Sequence, residues 1–241
     1  MNQSELDAQI AELQSKAEVY QPGQRIHEVL KGTIFVPIIG PFAVGKTTYM
    51  HAIERIDPDF GRVTSFTTRP QRDAEPNDTY QFLSHDSENL AVIRNMMDLD
   101  EVVEVAVHLE TNYVYGSHAA AFSKSFSMLD TLANTVEHLS ALPFGRVHKI
   151  GLITPPQDWW RRVMTRQETQ NALKQRMAEA HFSLEWLLDQ TDDITLVLNS
   201  DNELRVATEE IITSVRHAEH HTRNRKHAEA LLRFITEKQN L

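Results

Sequence analysis

The chain has 241 residues, 41% of them hydrophobic, which is enough for one substantial buried core and fits a single domain with a lid or one domain with extensions. It contains no cysteine, so a disulfide framework and a thiolate metal site are both excluded. The formal charge of −10 opposes broad contact with nucleic acid, whose phosphates the mean field repels, so any anion site has to be local.

The first twenty or so residues are polar and acidic, without the basic start and apolar centre of a signal peptide. No apolar run approaches the ~20 residues that a membrane span requires. The expectation is a cytoplasmic protein with neither membrane nor nucleic acid as a partner. Residues 4–20 read as a helix, because Leu6, Ile10, Leu13 and Ala17 recur three or four apart among polar residues. Gln21-Pro22-Gly23 breaks it. Residues 1–30 therefore read as an arm, packed on the body or against a second subunit as a homo-oligomer contact.

Thr33–Ile39 is an apolar run of buried-strand length, with Pro37 removing one ladder donor. Further strands are expected at Arg62–Phe66, Tyr80–Leu83, Val102–Val107, Phe126–Leu129, Val147–Ile153 and Ile194–Leu198. Helical spacing covers Thr47–Arg55, Ser87–Met96, Gln157–Arg166, Gln170–Asp189 and the chain from Glu203 onward, where Ser200 and Glu203 have the spacing of a capping box. Strands alternating with helices predict an α/β fold with a largely parallel sheet. The short strands between Arg62 and Ser117 carry no long helix and read as a small sheet-rich insertion. His217, His220, His221 and His227 follow in the last helical stretch, where His217 and His221 would share a face. No third ligand accompanies them, so a solvated face is the preferred reading.

Chemistry concentrates in Gly40-Pro41-Phe42-Ala43-Val44-Gly45-Lys46-Thr47, which satisfies G-x-x-x-x-G-K-[ST] between a strand and a helix. The glycines let the loop curl its N–H groups inward around a β-phosphate, and the helix N-terminus adds partial positive charge. Lys46 is expected to bridge the β- and γ-phosphates of ATP, and Thr47 to offer its hydroxyl to Mg²⁺. Two groups of arginines, Arg69 with Arg72 and Arg161, Arg162, Arg166 with Arg176, have the chemistry of phosphate clamps.

Ser65-Phe66-Thr67-Thr68-Arg69-Pro70-Gln71-Arg72, followed by Glu75 and by Tyr80-Gln81-Phe82, resembles the guanylate kinase signature S-x-T-T-R-x-x-R-x-G-E…Y-x-F. The resemblance continues in Tyr115-Gly116-Ser117, in Ile153-Thr154-Pro155-Pro156, in Arg162 and Arg166 as R-x-x-x-R, in Arg176 and in a late strand ending at Asn199. It covers about residues 33–215.

The resemblance implies a P-loop NTPase three-layer fold with a parallel core sheet, a small mixed-sheet monophosphate-binding insertion at about 62–118 and a helical lid at about 160–178. The domain would span 31–216, with the arm before it and a tail at 217–241. The implied reaction is Mg²⁺-dependent transfer of the γ-phosphoryl group of ATP to a nucleoside monophosphate, GMP or dGMP. Gly40 to Thr47, Thr48 and Asn199 would bind ATP. Arg69, Arg72, Tyr80 and Tyr115 would hold the acceptor phosphate and Ser65 and Glu104 the guanine, with Ser117 of Tyr115-Gly116-Ser117 also in the acceptor site. Asp130 would orient the base or support Mg²⁺ through water, and Arg162, Arg166 and Arg176 would act in transfer, the first two on one helix face.

The sequence departs from the family at Ala74 in place of a glycine, at Leu132 in place of a second acid, and in a bulkier P-loop interior. The stretch from Arg72 to Tyr80 is one residue short. Two extra residues before Tyr115 leave Glu101 and Glu110 open beside Glu104 as the base-reading carboxylate. A kinase of another phosphorylated acceptor, such as a ribose bisphosphate, therefore stays open, as does an interaction module, against which Lys46, Thr47 and the lid arginines count.

Overall fold

The computed structural model describes residues 3–72, 75–108, 111–166, 169–200 and 203–239. In chain order the elements are α1 (Gln3–Val19), α2 (Gln24–Lys31), β1 (Ile34–Ile39), α3 (Lys46–Ile56), β2 (Phe60–Arg62), β3 (Phe66–Thr67), β4 (Gln81–Phe82), α4 (Ser87–Asp98), β5 (Val102–Val107) and β6 (Val114–His118). A short 3₁₀ turn at Ala119–Ala121 leads to β7 (Phe126–Asp130), α5 (Val136–Ser140), β8 (Arg146–Val147), β9 (Lys149–Ile153), α6 (Pro156–Met164), α7 (Gln170–Asp189), β10 (Ile194–Leu198), α8 (Leu204–His217) and α9 (Arg225–Gln239). They form two compact units, one of Met1–Thr33, Val63–Lys124 and Leu142–Gly145, the other of Ile34–Arg62, Ser125–Ala141 and Arg146–Leu241.

The larger unit is an α/β sandwich on a parallel sheet of order β10-β9-β1-β7-β2, with β8 also on β1. Both faces of the sheet are buried, so its strands are continuous apolar runs whose residues alternate between two cores. Val36, Ile38, Ile150, Leu152 and Val197 pack with Tyr49 and Ile53 of α3 and Ile211 of α8. Ile39, Ile153, Ile194 and Leu196 pack with Trp159 of α6, Leu184 of α7 and Leu231 of α9. The three expected layers follow from that period of two. Pro37 is accommodated because β1 pairs with β8 only to Phe35 and with β9 again from Ile38, so the missing donor falls in a gap of the ladder.

The smaller unit holds a mixed sheet of order β4-β3-β6-β5. Helices α1 and α4 lie against it, with Ile10 and Leu13 of α1 buried beside Ile93, Met97 and Val105. Tyr20 donates its hydroxyl to the Val102 carbonyl at 2.7 Å, and Arg94 pairs with Glu12 at 2.6 Å. The apolar stripe of the arm is thus packed inside its own unit.

Several expected elements are corrected. Arg62–Phe66 is not one strand: β2 and β3 belong to different sheets, because the chain passes between units at Val63. Val147–Ile153 is interrupted at His148, and α2 and β6 are additional elements. The long helix expected from Glu203 is two helices, separated where Ala218 takes a left-handed φ of 56°. His217 ends α8 and His221 lies beyond it, so they share no helix face. Among the described residues no group of three or more His, Asp or Glu could hold a metal ion. Ser200 does not cap α8: its hydroxyl bonds the Glu203 carboxylate, and the helix opens at Leu204. Among the described residues no helix is long and apolar enough to cross a membrane.

Candidate active site

In the larger unit the loop Gly40 to Gly45 leaves the C-terminal end of β1 and enters α3 at Lys46. Two glycines make the turn possible. Gly40 has φ 153°, and a Cβ there would stand 2.3 Å from the Leu152 carbonyl oxygen. Gly45 has φ 102°, and a Cβ there would meet the Asn199 amide at 2.7 Å. Ala43 also takes a left-handed φ of 60°, which its small side chain tolerates at a cost of order 1 kcal/mol.

The bulky interior of the loop has a packing role. The Phe42 ring meets Trp159 edge to face at 5.6 Å, and Trp159 donates its indole N–H to the Phe42 carbonyl at 2.8 Å. Val44 is fully buried, and its carbonyl accepts from Asn199 at 2.6 Å and from Arg162 at 3.3 Å. Asn199 also accepts from the Tyr49 hydroxyl at 3.2 Å. Asn199 is therefore a buried brace for the loop, and Tyr49 and Trp159 are supports that sequence reasoning missed. Nothing in the sequence separates either from an ordinary core aromatic, and only their polar ends distinguish them.

Lys46 donates to the Gly40 carbonyl at 2.7 Å and the Pro41 carbonyl at 3.3 Å, and it lies 3.5 Å from the Asp130 carboxylate. Asp130 ends β7, the strand beside β1, and Ile38 is its register partner. Asp130 thus stands beside the loop that leaves β1, within the larger unit. Thr47 and Thr48 follow Lys46 in the first turn of α3. The expectation that Arg162 and Arg166 share a helix face fails, because α6 ends at Met164 and Arg166 lies exposed in the turn after it. Arg176, in α7, pairs with Glu179 at 2.8 Å.

The smaller unit collects the other residues. Ser65 and Ser117 hydroxyls lie 3.0 Å apart, and Ser117 donates to Glu104 at 3.2 Å. Glu104 and Ser117 are register partners of the antiparallel β5–β6 pair. That register sets Glu104 beside Ser117, whereas Glu101 stands 3.9 Å from His118, and Glu110 lies outside the described residues. Burial pushes the Glu104 carboxyl above its ordinary pKa, opposed only by the Ser117 hydrogen bond.

Next to this group Arg69 is 8% exposed and lies over the rings of Tyr80 and Phe82, 5.3 and 5.4 Å from their centroids. Tyr80 and Tyr115 meet edge to face at 6.1 Å. Glu75 grips Arg69 through two bonds of 2.8 Å and accepts from the Arg72 N–H at 3.0 Å. Its carboxyl is held below the ordinary value, first by the Arg69 hydrogen bonds, and the Arg69 guanidinium is correspondingly raised. The sequence had marked Glu75 only as the acid of the signature that follows Arg69 and Arg72, with no partner assigned to it.

No family model matches the sequence, and neither does any curated protein. Among solved structures the chain is similar to the guanylate kinase from Anaplasma phagocytophilum, with a TM-score of 0.52 over 79% of this chain and 87% of that one, at 16% sequence identity. At such an identity the likeness is one of fold, and the chain has a guanylate kinase-like P-loop α/β fold with a parallel core sheet and a second, mixed sheet.

Proposed function

We propose that the chain is an ATP-dependent nucleoside monophosphate kinase whose acceptor is GMP or dGMP. The observation that carries this reading is Glu104, a half-buried carboxylate that no cation pairs with among the described residues and whose one hydrogen bond comes from Ser117. A carboxylate kept for structure is ordinarily ion-paired or fully hydrogen-bonded, since burial of an unpaired charge is costly. Two adjacent N–H donors on a base edge complete it, and guanine offers such a pair in N1–H and its exocyclic amine.

On the donor side, the loop from Gly40 to Gly45 and the N-terminus of α3 bind the ATP phosphates, with Lys46 leaving the Gly40 and Pro41 carbonyls to bridge them. The residues also fit a divalent cation, because the Thr47 hydroxyl and the Asp130 carboxylate both stand at the Lys46 end of the loop. Mg²⁺ bound there supplies charge neutralisation on the phosphate oxygens. On the acceptor side, Arg69, Arg72, Tyr80 and Tyr115 hold the monophosphate. An oxygen of that phosphate attacks Pγ, the Pγ–O bond to the β-phosphate breaks, and ADP leaves. Arg162, Arg166 and Arg176 offset charge that develops during transfer. In-line positioning and charge neutralisation account for most of the acceleration in such reactions.

The test is a coupled assay of ADP release with GMP, dGMP, AMP, CMP, UMP and ribose bisphosphate. Release is expected with GMP and dGMP and is expected to be abolished in Lys46→Ala. Binding of ATP without transfer to any purine monophosphate would overturn the acceptor assignment. Transfer to ribose bisphosphate alone would redirect it to a sugar phosphate.

A further inference from the structure

Arg69 carries five N–H donors, and their disposition can be counted. One Nη1 hydrogen goes to Glu75 Oε2 at 2.8 Å and the other to the Pro70 carbonyl at 3.0 Å. One Nη2 hydrogen goes to Glu75 Oε1 at 2.8 Å. Among the described residues no acceptor meets Nε–H or the second Nη2–H. These two hydrogens are neighbours, because Nη1 lies on the Cδ side of the guanidinium and Nη2 on the Nε–H side. They make a parallel two-pronged fork, the geometry that grips two oxygens of one phosphate.

Glu75 itself is fixed. Its side chain is 12% exposed, Oε2 also accepts from the Arg72 N–H at 3.0 Å, and its carbonyl accepts from Gln71 at 2.7 Å. The guanidinium plane is held against Tyr80 and Phe82. Resting on the reading of the acceptor site given above, we infer that Glu75 is a positioning residue for the phosphate of the incoming nucleotide: it occupies the far edge of Arg69 and leaves the Nε/Nη2 fork as the only edge the phosphate can take.

This arrangement makes a prediction whose sign opposes simple electrostatics. Glu75 is an anion beside an anion site, so removing its charge should by Coulomb attraction alone strengthen phosphate binding. If Glu75 positions Arg69, the same change releases the guanidinium to other rotamers, and the phosphate is held less well. The quantity to read is the ratio of GMP affinity to guanosine affinity, measured by calorimetry on the full chain without turnover. In Glu75→Gln that ratio is expected to fall at least about tenfold, with guanosine affinity little changed. Glu75→Asp keeps the charge but withdraws it, and is expected to lower the ratio in the same direction, which serves if Glu75→Gln does not fold. A ratio that rises or stays constant would overturn the inference, the second case including equal loss for both ligands through collapse of the loop. A wild-type protein with no preference for GMP over guanosine would instead refute the acceptor-site reading as a whole.

Discussion

Glu104 shows how strand register sets the surroundings of a single carboxylate. It sits mid-strand, where side chains alternate between faces, and the β5–β6 register sets it beside Ser117 and through it Ser65. Glu104→Gln is expected to lower kcat/KM for GMP by about 2–4 kcal/mol, because a buried polar contact is broken and its partner is left unpaired. ATP affinity is expected to stay constant, and equal loss in both would locate the defect in folding. Burial raises the Glu104 pKa, so its carboxylate form is present above that raised value and is lost as pH falls through it. GMP use in the wild type is therefore expected to decline on mild acidification, and in Glu104→Gln the decline should disappear from the pH profile of kcat/KM.

Among the elements, α9 is the one whose importance the chain hides best. Its sequence reads as the end of a longer helix with a polar face, yet Ala228, Leu231 and Ile235 are fully buried against α7 and the sheet. Trp160 of α6 meets Phe234 of α9 edge to face at 6.2 Å, and the Lys238 ammonium lies 5.3 Å from the Trp160 ring centroid. The approach to α9 is pinned as well: Leu196 donates its N–H to the His221 carbonyl at 2.9 Å, and Asn224 donates to the Leu196 carbonyl at 2.8 Å. The tail thus completes one face of the larger unit. Leu231→Ala is expected to cost about 2–5 kcal/mol of stability, read as a shift of the urea midpoint with little change in slope. A cost below ~0.5 kcal/mol, the surface range, would mean that α9 is an appendage.

At the scale of the whole molecule, stability is tied to pH through His148. This residue is fully buried at the break between β8 and β9, and its ring stacks on His220 with centroids 4.2 Å apart. Thr195 of β10 has one hydroxyl proton, which goes to the Glu219 carbonyl, so it accepts from His148 Nε2–H and the lone pair of His148 lies on Nδ1. Burial, with His220, Arg146 and His221 adding to it, lowers the His148 pKa to about 3. The folded chain therefore refuses a proton that the unfolded chain accepts near its ordinary value. His148 contributes full stability above that value and loses it as pH falls below. Between pH 7 and 5 the loss from His148 amounts to about 2 kcal/mol. His220 and His221, also lowered by burial, act in the same direction, and Glu104, raised by burial, opposes them. Chemical denaturation at the two pH values should show His148→Gln losing about 2 kcal/mol less than the wild type on acidification, and equal losses would remove His148 from the account.

The sequence by itself determined what short-range physics determines. Gly40 and Gly45 are needed wherever a loop must take left-handed or crowded backbone, and Lys46 begins the helix that follows, so the turn from β1 into α3 was legible residue by residue. Apolar runs with their caps and breaks located α7 at its exact bounds and most strands of the parallel sheet to within a residue or two. Tertiary structure decided everything that depends on which neighbour a side chain meets. Only the β5–β6 register set Glu104 beside Ser117, only the passage between sheets split Arg62–Phe66, and only a loop folded back on itself gave Glu75 to Arg69. Asp130 joined Lys46 because β7 lies beside β1, although about eighty residues of chain separate them. The reason is physical: backbone preference acts within a few residues, whereas burial, ion pairing and strand register are properties of contacts that exist only once the chain has closed on itself.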